Sequence, residues 1–511
     1  MPFRVLDRQY SFDEDGQHAE DNGSENMIIH GDNLDALKAL LPRYEGRVKC
    51  IYIDPPYNTG NEGWVYNDNV NDPKIKKWLG EVVGKEGEDL TRHDKWLCMM
   101  YPRLKLLQKL LAKDGAIFIS IDDVEFYNLR LICNEVFGEH NFIATIIWRK
   151  NYAPKSTAKH FSEDHDYILV FGKNSDNWIP RKMPRTEKQN KAYKNLDNDP
   201  RGLWRPNNLA ARNYYSKGTY SIKCPGGRII EGPPSGSYWR VSEEKFRELD
   251  RDGRIWWGKD GNNVPAPKIF LSEVSDGIVP QTFWSYEEVG HTQDAKKEIK
   301  AIFGGDMPFD TPKPVRLIER ILQIASDPDS IILDSFAGSG TTAHAVLNMN
   351  KADGGNRKFI LVEMMDYADS ITAERVRRVI RGYGEGKNAV EGTGGSFSYY
   401  ELGEPLLIGE NLNEAVAPEK IREYIWFMET KTPYTPAAGD NPYYLGKHND
   451  TGYYFYYEPQ QITVLDYDFL AAVTEKAGGT VIYADRCSID DDKLSQMGIV
   501  FKKIPRDISR L

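Results

Sequence analysis

The sequence is poor in the residues that form cross-links or metal sites. Its 511 residues include five cysteines without a C-x-x-C pair, and its nine histidines form no H-E-x-x-H motif. Disulfide frameworks and zinc sites need regularly spaced ligands, so we expect reduced thiols and no required metal. The cysteines are Cys50, Cys98, Cys133, Cys224 and Cys487.

The sequence also lacks long apolar segments, and we do not expect a secretory leader. No apolar stretch approaches the roughly 20 residues that a membrane helix needs, and five acidic residues between positions 13 and 21 do not fit a signal peptide. We therefore expect a cytoplasmic protein without membrane contact. A G-x-x-x-x-G-K-[ST] phosphate loop is absent too, which argues against ATP hydrolysis by this chain.

The net charge of −10 at pH 7 is unevenly distributed along the chain. Residues 151–230 contain 15 lysines and arginines against 7 acidic residues, so this block carries +8 and the remainder carries −18. Phosphate binding needs a local basic surface rather than a basic protein. The block is therefore a candidate for nucleic-acid binding, and the alternative is a surface segment that is basic by chance.

Four blocks follow one another along the chain. Residues 1–150 and 292–400 alternate short apolar runs with helical patterns, which is typical of an α/β sheet covered by helices. Residues 151–291 lose this rhythm and are rich in Trp, Tyr, Pro, Gly and Asn, which predicts loop-rich structure. Residues 401–511 predict a small α+β domain. We expect the two α/β blocks to form one sheet that the second block interrupts.

The apolar patterns also predict individual elements. A turn is expected at Asp114-Gly115, between a helix and a strand. Strands are predicted at 27–29, 48–53, 116–121, 331–333, 359–363 and 453–457. Helices are predicted at 95–113, 314–325, from 341 onward, 370–381 and 421–428.

The strand predicted at 48–53 ends in Asp54-Pro55-Pro56-Tyr57. Two prolines stiffen this turn and remove its N–H donors. The carboxylate of Asp54 and the carbonyl of Pro55 can accept both N–H bonds of an exocyclic amino group on a nucleobase, which directs its nitrogen lone pair at a methyl donor. Tyr57 would stack on that base after it leaves the duplex, and Asn58 would add a polar contact. An ordinary strand-terminating turn is the alternative.

The strand predicted at 331–333 leads into a glycine-rich turn. Residues 338–343 read G-S-G-T-T-A, which satisfies the G-x-G-x-x-G/A fingerprint, and Glu363 follows about 20 residues later. Alone this fingerprint does not identify the cofactor, because a nicotinamide oxidoreductase would use the same turn for a pyrophosphate. Asp334 and Phe336 suit S-adenosylmethionine better, since that molecule offers a carboxylate and a sulfonium instead.

Together the two motifs resemble those of DNA amino methyltransferases, which modify N6 of adenine or N4 of cytosine. The catalytic motif comes first and the S-adenosylmethionine motif last, which is the permuted, or beta, order of that family. Residues 58–68 resemble the modification (Mod) subunits of type III restriction-modification systems beyond the core motif. Residues 500–508 look like the C-terminal strand of that family. Asp54 and Tyr57 resemble the adenine members more than the N4-cytosine members, where serine often takes the first place.

The resemblance implies a fold and a site. The fold would be α/β, with a Rossmann-like methyltransferase sheet, an inserted loop-rich target-recognition domain and a small C-terminal α+β domain. The catalytic residues would be Asp54, Pro55, Pro56 and Tyr57. The cofactor contacts would be Asp32, Thr311, Lys313, Asp334, Phe336, Gly338, Gly340 and Glu363. Two of these assignments have structural alternatives, because Asp32 also suits a helix N-cap and the proline after Lys313 also suits a first helical turn.

The basic second block would contain the target-recognition region. Arginine and lysine read guanine edges, and asparagine and glutamine read adenine. Contacts to phosphate make up half or more of such interfaces, so each candidate is better viewed as a positioning contact than as a base reader. The DNA-contact candidates are Asn58, Arg201, Arg205, Asn207 and Arg212.

These features predict a site-specific DNA methyltransferase that transfers a methyl group from S-adenosylmethionine to N6 of a flipped adenine in double-stranded DNA. The absence of a Pro-Cys dipeptide argues against ring-carbon methylation. The resemblance implies a homodimer and a restriction (Res) helicase-nuclease partner. The alternatives are a solitary adenine methyltransferase, an N4-cytosine methyltransferase, a catalytically idle DNA-binding subunit and, disfavoured by the first motif, an oxidoreductase.

Overall fold

A computed structural model describes residues 3–59, 92–154, 156–274, 277–437 and 441–506. Residues 60–68 of the Mod-like segment, and 507 and 508 of the predicted final strand, lie outside these ranges. The chain divides into two compact units, which are Met1–Arg181 with Gln281–Leu511, and Lys182–Pro280. The boundaries predicted at 150, 291 and 400 remain predictions of domain organisation.

One mixed sheet forms the centre of the first unit. Among the described residues it has eleven strands, which in chain order are β1 (Arg4–Phe12), β2 (Gln17–His18), β3 (Met27–His30), β4 (Val48–Ile53), β5 (Leu111–Ile121), β6 (Phe142–Arg149), β7 (His165–Gly172), β8 (Phe283–Trp284), β9 (Ile331–Asp334), β10 (Lys358–Glu363) and β11 (Phe397–Pro405). Their order in the sheet is β8-β6-β7-β5-β4-β9-β10-β3-β11-β1-β2.

Six neighbouring strands, β5-β4-β9-β10-β3-β11, run parallel to one another. Three of the inner strands are almost fully apolar and buried, as expected for a parallel sheet covered on both faces. Because β4 pairs with β9, the two α/β blocks join in one sheet and the predicted α/β fold is confirmed. The carboxyl ends of all six strands meet at one edge.

Helices connect and cover these strands. The helix Val315–Ala325 shows the reason, since its apolar side chains recur on one face and are buried. It confirms the prediction at 314–325. The helices around the sheet are Asn33–Tyr44, Arg92–Leu110, Asp123–Phe137, Thr292–Ile302, Val315–Ala325, Thr341–Asp353 and Glu374–Arg381.

The predicted boundary between a helix and β5 was wrong. The helix predicted at 95–113 ends at Leu110, and β5 begins at Leu111 instead of after a turn at Asp114-Gly115. The ladder explains this difference, because Val48 pairs with Leu111 but Cys50 pairs with Ala116, so the intervening residues form a bulge. Gly115 is required there, since a Cβ on it would lie 2.8 Å from the carbonyl oxygen of Val48.

The end of the chain adds a smaller layered structure to the first unit. The helix Pro418–Thr430 packs through Ile421, Ile425 and Trp426 on a sheet of four strands. The predicted helix at 421–428 is confirmed, and the strand predicted at 453–457 begins at Thr451 and ends at Phe455. The four strands are Tyr444–His448, Thr451–Phe455, Gly479–Ala484 and Ile499–Lys503.

The second unit, Lys182–Pro280, consists largely of loops and short strands. Its core contains Trp239, Leu209 and Phe246, all almost fully buried. Its strands are Trp204–Pro206, Ala210–Ala211, Ile222–Lys223, Ile229–Ile230, Tyr238–Trp239, Ile255–Trp256 and Ala266–Phe270, and its helices are Glu187–Asn190 and Glu243–Arg251. In neither unit does a described helix have the length and apolarity to cross a membrane.

Candidate active site at the carboxyl edge of the sheet

The carboxyl edge of the parallel strands gathers residues of both motifs. Asp54 follows β4, Asp334 ends β9 and Glu363 ends β10, and these strands are close neighbours in the sheet. The loop after β3 joins the same edge, because the Gly31 amide donates to the carbonyl of Glu363 at 2.9 Å. The structure thus brings together most of the residues that the sequence motifs single out.

The turn after β4 is held from two directions. The indole of Trp96 donates to the carbonyl of Pro56 at 2.7 Å. Asn58 adopts a left-handed conformation, with φ of +57°, which asparagine tolerates better than most residues. Its side-chain amide donates to the buried carboxylate of Glu125, which also bonds His93 at 2.6 Å. Trp96, Glu125 and His93 were missed in the sequence because no motif surrounds them.

Lys313 joins the two halves of the site. Its ammonium forms an ion pair with Oδ2 of Asp54 and lies 5.1 Å from the centroid of the Tyr57 ring. Its backbone carbonyl accepts a hydrogen bond from the Thr341 hydroxyl, in the glycine turn, at 3.3 Å. Thr311, two residues earlier, is exposed and does not share these contacts.

Two buried polar atoms of the first motif have no hydrogen-bond partner among the residues that the structure describes. They are Oδ1 of Asp54 and the hydroxyl of Tyr57. Burial and the neighbouring charge of Asp54 raise the pKa of Tyr57 well above its usual range, so its hydroxyl stays protonated. A buried acceptor without a partner costs about 1–3 kcal/mol, and a ligand that donates there would recover this energy.

The glycine turn after β9 has little room for side chains. Gly338 and Gly340 have φ of +52° and +79°. A Cβ on Gly338 would lie 3.1 Å from the Phe309 ring, and one on Gly340 would lie 3.0 Å from the carbonyl oxygen of Thr372. The second glycine also starts the helix Thr341–Asp353, whose first amides face the turn. The arrangement favours an anionic group at this end.

Asp334 and Glu363 support this turn from inside the protein. Asp334 accepts from the Thr342 hydroxyl at 2.5 Å and from the Phe336 amide at 3.0 Å. Glu363 accepts from the amides of Gly338 at 2.8 Å and Met365 at 3.0 Å. Burial raises the pKa of both carboxyl groups, for Asp334 to about 7. Each therefore holds the turn, and Phe336 packs in the apolar core.

Asp32 acts as a helix N-cap in this structure. Its carboxylate accepts from the amides of Leu34 at 2.8 Å and Asp35 at 3.3 Å, and it also pairs with the buried Arg103 at 3.2 Å. Arg103 bonds Asn33, whose amide donates to the carbonyl of Ser335 at 3.2 Å. This network, which the sequence did not predict, ties the loop after β3 to the loop after β9.

A second acidic group reaches the same edge from β7. Because β7 is antiparallel to β5, its beginning lies beside the end of β5, with Tyr167 opposite Ile121. Asp166 is buried there and pairs with Lys150 at 2.6 Å. Burial raises the pKa of Asp166, and the charges of Lys150 and Lys313 oppose that shift. Asp166 and Lys150 therefore belong to the electrostatic surroundings of Lys313.

The predicted DNA-contact residues of the second unit differ in how many hydrogen bonds and ion pairs they already form within that unit. Arg201 binds Asp199 through two 2.8 Å bonds and lies over Phe270, so it stabilises the unit itself. Arg205 donates to the Tyr193 hydroxyl at 3.2 Å, while the backbone of Asn207 pairs with Pro267. Arg212 is exposed and forms no hydrogen bond or ion pair with a described residue of its unit.

Metal-ligating side chains do not cluster in the part of the chain that the structure describes. In the ranges that the structure covers, no group of three or more His, Cys, Asp or Glu side chains could hold a metal ion. The carboxylates at the edge are instead engaged by Lys313, by backbone amides and by hydroxyls, as described above. The chemistry that the edge can support is therefore hydrogen bonding to a polar ligand beside a buried aromatic ring.

Comparison with known proteins identifies relatives of most of this chain. The family model described as DNA methylase matches residues 48–374. The StyLTI Mod subunit of a type III restriction-modification enzyme from Salmonella typhimurium is 37% identical over 71% of this chain and 58% of its own length. The corresponding EcoPI Mod subunit of Escherichia phage P1 is 34% identical, over 68% and 58%. The chain thus spans under two thirds of these two relatives.

Another relative is covered more completely. The type II methyltransferase M.KpnI of Klebsiella pneumoniae is 31% identical over 67% of this chain and 81% of its own length. A solved structure of a putative DNA modification methylase from Thermus thermophilus, complexed with S-adenosyl-L-methionine, is 15% identical, with a TM-score of 0.35. It covers 74% of this chain and 99% of that protein.

Replacement of Asp334 by asparagine should change how stability depends on pH. Burial raises the pKa of Asp334 from 3.8 to about 7, so the folded state binds a proton more tightly than the unfolded state. The contribution of this bound proton to the free energy of unfolding is fully present below about pH 4 and is lost as the pH rises through about 7. Asparagine has a similar shape and does not titrate.

Urea unfolding of both proteins between pH 4.5 and 8.5 would measure this effect. We expect Asp334→Asn to gain stability relative to the natural chain as the pH rises, by at most about 1.4 kcal/mol per pH unit. A difference that stays constant over this interval would show that Asp334 has an ordinary pKa.

Proposed function

This chain belongs to the DNA methylase family, and we propose that it transfers a methyl group from S-adenosylmethionine to N6 of an adenine flipped out of double-stranded DNA. The observation that carries the proposal is the meeting of two motifs at one sheet edge. Lys313 bonds Asp54 of the first motif and, through its carbonyl, Thr341 of the second. A base and a methyl donor held by these motifs would be neighbours.

The residues present fit the cofactor. The glycine turn leaves no space for side chains, and the amides that begin the helix Thr341–Asp353 suit the carboxylate of the methionine end. Asp32 and Glu363 lie at the ends of neighbouring strands, where they can accept hydrogen bonds from the adenosine hydroxyl and amino groups. When bound, S-adenosylmethionine supplies an electrophilic methyl group. We assign Thr311, Lys313 and Phe336 to the same binding site.

The first motif would activate the target base. Oδ1 of Asp54 is buried and lacks a partner among the described residues, so it can accept one N–H bond of the adenine amino group while Lys313 keeps Oδ2. The Pro55 carbonyl would accept the second N–H bond, which fixes the nitrogen with its lone pair toward the methyl group. The Tyr57 ring would stack on the flipped base and return part of the unstacking energy. Pro56 keeps the turn rigid.

We assign adenine rather than cytosine as the target base because of the residues of the first motif. Asp54 in the first position and Tyr57 in the fourth resemble the adenine members of the family, and one relative of 22% identity is named DNA adenine methyltransferase YhdJ, from Escherichia coli. An N4-cytosine activity would require the same hydrogen-bond acceptors. It is therefore an outcome that the experiment below has to separate.

We further propose that the chain is the modification subunit of a type III restriction-modification system in the cytoplasm. The names of two relatives described above support this assignment. It implies a homodimer, to be checked by a solution mass of twice 58.4 kDa, and a Res helicase-nuclease partner, to be checked by co-purification. A solitary methyltransferase would show neither the partner nor a dependence on it.

Modification-sensitive sequencing tests the proposed activity. The chain is expressed in a methylation-free host beside Asp54→Ala, and the matched control Asp492→Ala changes an exposed carboxylate in the helix Asp491–Gln496. We expect N6-methyladenine in one short motif with the natural chain and the control, and a loss of about 100-fold or more with Asp54→Ala, because the amino group loses its acceptor.

Other sequencing results have definite meanings. A mark on N4 of cytosine would replace the adenine assignment with the second amino-methyltransferase activity. If the natural chain leaves no mark with or without a Res partner, the activity proposal fails, and an idle DNA-binding subunit becomes the better account.

The second unit would bind DNA through basic side chains that are not engaged within it. Arg212 is the best-placed predicted contact, because it is exposed, lacks an acidic partner among the described residues of its unit and is followed closely by the exposed Tyr214. Arg205 and Asn207 are assigned as neighbouring contacts, and Asn58 as a contact to the base. Arg201 is assigned a structural role as well, because Asp199 holds it.

Arg212→Ala should weaken DNA binding without unfolding the protein. Fluorescence anisotropy with a labelled duplex would be measured at several salt concentrations. Loss of one phosphate contact should reduce the slope of log affinity against log salt by about 1. The matched control is Arg247→Ala, which removes an exposed arginine that pairs with Glu243. An unchanged slope for Arg212→Ala would remove this residue from the interface.

A further inference from the structure

A π-helical turn and a helix support the glycine turn from within the protein. A π-helical turn at Asp369–Ala373 leads into the helix Glu374–Arg381. The hydroxyl of Thr372 donates to the carbonyl of Gly338 at 2.6 Å. Such local widening of a helix is frequent at functional sites. The support is therefore in direct contact with the part of the edge that the sequence assigns to the cofactor.

Arg375 extends this support with a fully buried guanidinium. Its Nη1 donates to the hydroxyls of Ser339 at 2.9 Å and Thr341 at 2.8 Å, which are both buried residues of the glycine turn. Its Nη2 lies 3.3 Å from Nδ1 of His344. Burial and the charge of Arg375 hold the pKa of His344 well below its usual range, so this imidazole is a neutral acceptor.

Among the described residues, no carboxylate forms an ion pair with the guanidinium. None lies within 4.0 Å of it, and its Nε is buried without a hydrogen-bond partner among these residues. The charge of Glu298 acts on the guanidinium from beyond this distance, and the carboxylate of Glu298 accepts from the amide of Val315 at 3.0 Å. Burial lowers the pKa of Arg375 to about 10, which leaves it charged at neutral pH.

Burying a charge without an ion-pair partner is costly, and an anion that binds nearby would offset this cost. The atoms that Arg375 touches begin the helix Thr341–Asp353, whose free amides already favour an anion. A helix N-terminus and a buried cation behind it therefore act on the same place. The carboxylate of the methionine moiety is the anion that the proposed function brings there.

We propose that Arg375 is a positioning residue that supplies the counter-charge for the carboxylate of S-adenosylmethionine, acting through its own charge and through the Ser339 hydroxyl of the glycine turn. This inference rests on the proposed function, because the anion is part of the proposed cofactor. A purely structural role would need only the hydrogen bonds of Arg375. The two roles differ in whether the effect of the residue depends on a carboxylate in the ligand.

Calorimetric titration with two ligands separates these roles. The ligands are S-adenosylmethionine and its decarboxylated form, which keeps the sulfonium and the amine. We expect Arg375→Met to weaken binding of the first by about tenfold or more and to leave binding of the second within about twofold. Arg375→Lys keeps the charge and should preserve most of the preference for the carboxylate.

Two further variants keep this test decisive. Thr372→Val removes a neutral hydrogen bond to the same turn, so it should weaken both ligands equally. Arg375→Gln keeps a hydrogen-bond donor and replaces Arg375→Met if circular dichroism shows that the methionine variant does not fold. Equal weakening of both ligands by the neutral variants, or no weakening, would overturn the inference. Failure of the natural chain to bind either ligand would instead overturn the proposed function.

Discussion

The parallel pairing of β4 with β9 is the constraint on which the proposed site depends. It places Asp54 and Asp334, which are 280 positions apart, at the ends of adjacent strands. Parallel strands end at a common edge, so loops from distant parts of the sequence meet there without further organisation. Lys313 then connects the two motifs, through its ion pair with Asp54 and through its carbonyl, which accepts from Thr341. Weakening this strand pair would move the base-binding residues away from the cofactor-binding residues.

The edge concentrates buried charge, and the protein compensates each group differently. Asp334 and Glu363 are held by backbone amides and hydroxyls, and their raised pKa values reflect incomplete compensation for burial. Arg375 lies behind the same turn without an ion pair to a described carboxylate. Such arrangements store energy that a bound ligand can release, which is why perturbed groups collect at functional sites. We interpret the carboxyl edge as a binding site for a ligand that carries both a positive and a negative charge.

The sequence predicted those features that depend on local chemistry. The strands that carry the motifs, the helix Val315–Ala325 and the single interrupted sheet all followed from apolar periodicity and turn residues. The predicted end of the helix Arg92–Leu110 at residue 113 was wrong, because the bulge before Ala116 is set by pairing with β4 and not by the local Asp-Gly signal. Tertiary pairing overrode the turn propensity there.

Residues that act through long-range contacts could not be predicted. Trp96, Glu125 and Arg103 support the motifs from the helices Arg92–Leu110 and Asp123–Phe137, and Arg375 supports the glycine turn. Their spacing in the sequence carries no signal, since each contact depends on how a helix packs. Arg201 shows the opposite case. Its place in a basic block predicted a DNA contact, but in the structure it forms an ion pair with Asp199.

The most direct test of the account is a paired measurement on Asp54→Asn, a variant with nearly the same shape but without the carboxylate charge. Calorimetric binding of S-adenosylmethionine and transfer of a labelled methyl group to duplex DNA would be measured on the same preparation. The account predicts cofactor binding within about threefold of the natural chain and no detectable transfer. Transfer that persists, or cofactor binding that disappears with it, would contradict the division of roles between the two motifs.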